Sequence, residues 1–522
     1  MVDVVNDWPD LTAVRLLDFL ASDSLWHRAL WNPGLVLALQ EILEGSEAVR
    51  SGVLSEESLG SLVGTTMRAA PDDVGVGDRH NLKALQQALQ PKLRPKSLDY
   101  HALEQITQEI QGRYLARWAE AIVNPATRPN PERTARAIAC HALDLGYNAE
   151  YLHRWLTYRL FHQVPRRPLS EIVRELHEFA IAQPRTFDVM VAFEYIPHPR
   201  FGRPKGWLEA PDVSSWLCGN GFSTAVVRQQ GGMLQQIIAR DARAAADAAV
   251  EILENLIARA RVAAAGEIVY LRQAWVAGEK SSFPILQHSR GVNVRALVRE
   301  NLVYASDRPE TELDAAFELL APLQSSSPIA GIAAGWAAIE ALLSEPSDRG
   351  GAADRLATLV ACSWPRAELT KLSYAVSKDA TLTARLAGTT DNRTRAKVLA
   401  EAIVNNENLV LDTWSDKAAC LRMRHLLSNP ASVLADVQQY ASSSFRRLYR
   451  QRNLILHGGK TNAVALRACL RTAAPLVGAG MDRLAHALYV ARLSPLATAA
   501  QARISLITIA AKGPISCIDL LP

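Results

Sequence analysis

The sequence predicts a mainly α protein in three parts: a helical N-terminal region over residues 1–165, a small α+β domain over 166–305, and a helical bundle over 306–522. Two observations carry this. Apolar residues recur at three- and four-residue intervals through most of the chain, the period of amphipathic helices. The stretch Thr186–Ile196 alternates instead and is rich in β-formers, as a strand should be.

In the first part, helices are expected over Leu11–Ala21, Leu35–Leu43, Tyr100–Ile122 and Pro131–Leu145. The run from His141 to Leu156 reads as a helix, a Gly-Tyr turn and a second helix starting near Asn148. A DNA-reading unit could be built this way, but Trp155 and Leu156 favour a second helix turned into the core.

Arg166-Arg167-Pro168, a short helix to about Ala182, and Gln183-Pro184 mark the boundary of the second part. After Thr186–Ile196 come weaker strand candidates at Trp207–Leu217, Ala225–Gln229, Glu267–Leu271 and Phe283–Gln287. Between them lies an Ala-rich helix, Ala239–Ala264, whose Asp241, Asp247 and Glu251 read as its solvated face. The basic cluster His198–Gly206 is a loop that either touches phosphate or serves as a solvated connector.

From Glu312 the chain is helical to about Thr498, with segments near 312–323, 329–343, 352–361, 366–377, 394–406, 415–427, 430–442, 444–457, 462–474 and 480–493. Pro346, Pro365, Pro430 and Pro475 are taken as breaks between them. The apolar tail 499–522 is expected to pack back as a strand or helix.

Composition sets wide bounds. Apolar content of 49%, charged content of 21% and a net charge of +4 describe an ordinary globular chain, without the basic excess of a DNA-binding regulator. The 46 arginines against 11 lysines suit a GC-rich genome better than a wholesale phosphate-binding surface. The six cysteines form no C-x-x-C pair, which fits a reducing cytosol. The N-terminus has neither the basic start nor the apolar run of a signal peptide, and Ser327–Leu343, interrupted by Glu340, falls short of a membrane span. A cytoplasmic protein with no membrane partner is expected. No Gly-rich phosphate loop, His-Glu-x-x-His helix or serine nucleophile elbow occurs.

The stretch that carries chemistry is Ser444–Gly459, read as one helix of about four turns closed by two glycines. At about 100° per residue, Phe445, Leu448, Tyr449, Ile455 and Leu456 form an apolar sector. Arg446, Arg450, Asn453 and His457 fall on another face, a cationic ridge ending in one titratable imidazole. Arg452 projects into the apolar sector, so it must meet a carboxylate or line an interface. Glu340, the only charge between Pro328 and Leu343, is the expected partner.

Arg452-Asn453-x-x-x-His457 resembles the Arg-x(4–6)-His signature of the HEPN superfamily, and Tyr449–Gly459 is most similar to its Apea-like branch. Gly335–Leu343, with Glu340, resembles the early helix of that family; the resemblance spans roughly residues 310–500. Spacing alone is weak. With 12 histidines and 46 arginines, about three such pairs arise by chance, and four occur: Arg94/His101, Arg136/His141, Arg450/His457 and Arg452/His457. The Asn, the glycines and the Glu340 helix single out the last.

The resemblance implies an endoribonuclease that uses no metal or other cofactor and leaves 2′,3′-cyclic phosphate and 5′-hydroxyl ends. His457 would shuttle the proton, Arg452 would stabilise the phosphate and Asn453 would orient it, while Arg446 and Arg450 would bind substrate. It implies a homodimer through the C-terminal domain, and a toxin or antiviral (abortive-infection) role in which the N-terminal part senses a phage-derived or other trigger. Gly459 stands where toxins regulated by tyrosine modification carry Tyr. The alternative is a non-catalytic scaffold binding nucleic acid or protein, with His457 merely a cation at a helix C-terminus.

Overall fold

The computed structural model describes residues 8–31, 33–126, 128–197, 202–223, 228–285, 289–305, 311–325, 327–346, 348, 350–376 and 380–522. The protein is mainly α, with one five-stranded sheet among the described residues. Its chain divides into two compact units: residues 1–141, 167–177 and 289–522 form one, and 142–166 with 178–288 form the other. This division differs from the expected boundaries at 165 and 305. The N-terminal helices are no separate body, because they pack into the C-terminal bundle.

That union rests on buried polar and aromatic contacts. Trp31 meets Trp364 edge to face at 5.8 Å, and the Trp364 indole N–H donates to the His27 carbonyl at 3.0 Å. Arg28 donates to Glu368 at 2.8 Å and to Asp416 at 2.9 Å, while His27 Nδ1 lies 3.0 Å from the same Glu368. Glu368 is fully buried. Burial would raise its carboxyl, but His27, Arg422 and Arg28 hold it well below the usual range.

The bundle is organised around two long helices, Gly351–Ala375 and Pro430–Leu456. Both were expected as two shorter helices, as was Leu466–Tyr489. Pro365 and Pro475 lie inside helices rather than between them. A proline removes one N–H and crowds the preceding turn, and here that cost is borne inside a close-packed core, where Trp364 and Pro365 are buried. The tail forms a helix, Pro495–Thr508.

In the second unit, β1 (Arg185–Tyr195), β2 (Trp207–Glu209), β3 (Gly231–Ala239), β4 (Val269–Val276) and β5 (Phe283–Pro284) form an antiparallel sheet of order β2-β3-β1-β4-β5. Strand β1 is central and alternates as its sequence demands. Val189, Val191 and Phe193 pack with Ala245, Ala249 and Leu253 of the helix Ala242–Val262. Met190 and Ala192 pack with Val213 and Leu217 of Ala210–Gly219 on the other face.

Several expectations shift here. The strand expected over Trp207–Leu217 stops at Glu209, where Pro211 in the first turn starts a helix. Strand β3 was not expected; a Cβ on Gly232 would meet Met190 Sδ at 2.7 Å, so glycine lets two strands approach. Asp241 is buried, capping its helix through the Ala244 N–H, rather than lying on a wet face. Residues 225–227 and 286–287 of the strand candidates, and 198–201 of the basic loop, lie outside the described residues. The helix after Asn148 buries Leu152, Leu156 and Leu160.

Candidate functional site

The helix that carries the candidate site runs 27 residues, Pro430–Leu456, and is enclosed on more than one side. Phe445 and Leu448 are fully buried in the main core, and Tyr449 packs against Trp336 with ring centroids 4.9 Å apart. This is the apolar sector read from the sequence, with one exception. Leu456 is 52% exposed, whereas Leu454, left out of that sector, is buried against Ala48, Leu54 and Ala463.

The N-terminal helices Leu35–Arg50 and Glu56–Ala69 cover the arginine side. Arg447 donates through Nε to Glu41 at 2.7 Å, and Arg450 donates to the same carboxylate at 2.9 Å. All three side chains are buried. Arg450 therefore leaves the expected ridge: it is buried and paired with Glu41. Burial pulls its pKa down and Glu41 offsets this only in part. Arg446 is half-exposed and engaged by Asp354 at 2.6 Å and by the Ser61 hydroxyl at 2.6 Å. A helical wheel separates faces but does not say what covers them.

Beyond Arg450, Arg452 is partly exposed and Leu456 and His457 reach the surface, while Gln451, Asn453, Leu454 and Ile455 stay buried. Arg452 Nη1 donates to Asn453 Oδ1 at 2.9 Å and lies 3.1 Å from His457 Nε2. A guanidinium only donates, so Nε2 takes the accepting role in this contact. Arg452, Asn453 and His457 are thus brought together, with His457 exposed and Arg452 partly so.

The expected Arg452–Glu340 pair is absent. Glu340 is half-buried and makes no ion pair among the described residues. Arg452 escapes the cost of an unpaired buried charge because it lies at the helix end, where solvent and two side-chain acceptors reach it.

Local chemistry explains why the helix ends at His457. Gly459 has φ +62°, the left-handed geometry of a helix cap, and its N–H donates to Ile455 O at 3.1 Å. A Cβ on Gly458 would meet Leu454 O at 2.7 Å and Val53 Cγ1 at 3.2 Å. The following loop is tied down by buried Glu44, which takes Lys460 Nζ at 2.6 Å and the Val464 N–H at 3.3 Å. Glu41 and Glu44 therefore fix both the helix and the loop flanking His457. The sequence signal for them was two carboxylates inside the apolar run Leu35-Val-Leu-Ala-Leu-Gln-Glu-Ile-Leu-Glu.

Among the described residues no group of three His, Cys, Asp or Glu is placed to hold a metal ion, and no helix is long and apolar enough to cross a membrane. No family model, curated protein or solved structure matches the chain.

Proposed function

We propose that the chain is a HEPN-type endoribonuclease of the cytoplasm, cutting RNA by transfer to the ribose 2′-hydroxyl. The observation that supports this reading is the Arg452–Asn453–His457 constellation at a helix end where His457 is exposed. In the reaction, the 2′-oxygen attacks the adjacent phosphorus and its proton passes to Nε2 of His457. The Arg452 guanidinium, which here occupies Nε2, turns its donors to the non-bridging oxygens as negative charge builds on them. The bond to the 5′-oxygen then breaks, leaving a 2′,3′-cyclic phosphate and, once that oxygen takes a proton, a 5′-hydroxyl. Asn453 holds the guanidinium in place.

One chain offers one imidazole here, and the departing 5′-oxygen needs an acid. A homodimer through the C-terminal domain would supply His457 a second time across a two-fold axis. In a defence or toxin role, the remainder of the chain would sense a phage-derived or other trigger. The alternative, a binding scaffold, predicts RNA retained but uncut. The experiment is incubation of purified protein with cellular RNA, with and without EDTA, followed by mapping of the end chemistry. Cyclic-phosphate ends that survive EDTA support the nuclease; intact RNA contradicts it.

A further inference from the structure

A cleft of about 530 Å³ opens beside the N-terminal half of the same helix, walled by Leu35–Arg50, Glu56–Ala69, Pro131–Asp144 and Pro430–Leu456. Neither Arg452 nor His457 lines it. Its volume lies within the range of small-molecule sites.

Its lining is rich in guanidinium groups. Arginines from three helices converge on it: Arg68, Arg133 and Arg136 from one side, Arg446, Arg447 and Arg450 from the other. Arg447 and Arg450 share the single carboxylate Glu41, which leaves one buried positive charge in excess. Arg447 is 4% exposed and its Nη1 is buried with no hydrogen-bond partner among the described residues. Arg136 leaves Nε and Nη1 in the same condition. Buried guanidinium donors without acceptors are costly, and a multiply charged oxyanion is the acceptor their fork geometry fits. Arg136 is held in place: Glu132 takes Nη2 at 2.9 Å and its guanidinium lies 4.4 Å from the Tyr440 ring centroid.

The acidic groups in the cleft do not fill this role. Asp72 pairs with Arg133 at 3.3 Å, Asp73 accepts from Tyr114 Oη at 2.7 Å and from Gly75 N–H at 2.9 Å, and Asp436 is exposed.

We propose that this cleft binds a small phosphorylated ligand, its phosphate held between Arg136 and Arg447. The site bridges the N-terminal helices and the helix that ends at His457, and it stands whether or not the chain cuts RNA.

The test is calorimetric titration of the full chain with inorganic phosphate, pyrophosphate and ATP. Wild-type protein is expected to bind at least one of them with micromolar affinity. Arg136→Gln should weaken binding at least tenfold; Glu132 keeps Arg15 as its partner, so no carboxylate is orphaned. Ser443→Trp, which fills the cleft without removing an ion pair, should abolish it, and His457→Ala should leave it unchanged. Equal binding of pyrophosphate and ATP would assign recognition to phosphate alone, and binding of ATP only would add the nucleoside. No binding of any probe at millimolar concentration overturns the proposal, as does binding that a folded Ser443→Trp protein retains in full.

Discussion

Arg452 Nη1 lies 3.1 Å from His457 Nε2, a contact between a residue inside the helix and the residue that closes it. The imidazole stays exposed, so the proton acceptor and the cation proposed to act together already touch.

Arg452→Lys keeps the charge but loses the planar fork that serves Asn453 and His457 together. RNA cleavage should fall by about 10²-fold or more, on the scale of removing one transition-state donor. Stability should change by no more than about 0.5 kcal/mol, because Arg452 makes no ion pair among the described residues. Steady-state cleavage and thermal unfolding, measured on one preparation, check both halves; cleavage at the wild-type rate refutes the role.

Glu41→Gln should cost about 3–5 kcal/mol by stranding two buried guanidiniums. Burial alone would raise the Glu41 carboxyl, but Arg447 and Arg450 hold it below its usual value. Its contribution is therefore present at neutral pH and is lost only as pH falls below the ordinary carboxylate range. Adding Arg447→Met and Arg450→Leu to the Glu41 change should restore much of the loss. Denaturant unfolding of the single and triple variants decides this, and a neutral Glu41→Gln would show the pair to be idle.

The helix bearing Arg452 and His457 was legible because apolar periodicity, capping glycines and the Arg-Asn-His pattern coincide in sixteen residues, Ser444–Gly459. Which of its arginines reach solvent was not, since Arg450 is buried against Glu41, which lies 409 residues earlier in the chain. Strand β1 was read from its alternation, whereas β3, with Gly231, Gly232, Gln235 and Gln236, hid behind residues of low β-propensity. The helices containing Pro365 and Pro475 were cut in two because proline breaks isolated helices, a penalty that tertiary packing overrode.

Asp73 is a carboxyl that folding disfavours as an anion. Burial raises it from 3.8 to about 6, against the opposing hydrogen bonds from Tyr114 and Gly75. The folded state therefore holds the proton more tightly, and stability falls as pH rises from about 4 to about 6. Above that range the loss is complete, about 2 kcal/mol after allowing for solvent at its exposed edge. Asp73→Asn should be more stable than wild type at pH 8 and lose that advantage by pH 4, as read from unfolding midpoints. An unchanged difference across this range contradicts the assignment.

If the acid that protonates the departing oxygen comes from a second copy, a mixed dimer of wild type and His457→Ala should lose well over half its activity. Half the activity would mean two independent sites, and an active monomer in sedimentation at nanomolar concentration would remove the dimer from the mechanism.

The most direct measurement compares wild type with His457→Ala on the same RNA, with circular dichroism confirming that both are folded. His457 is exposed and lies past the last helical residue, so alanine removes little packing. The account predicts cyclic-phosphate products from the wild type and none from the variant. Cleavage by folded His457→Ala protein at the wild-type rate would contradict it.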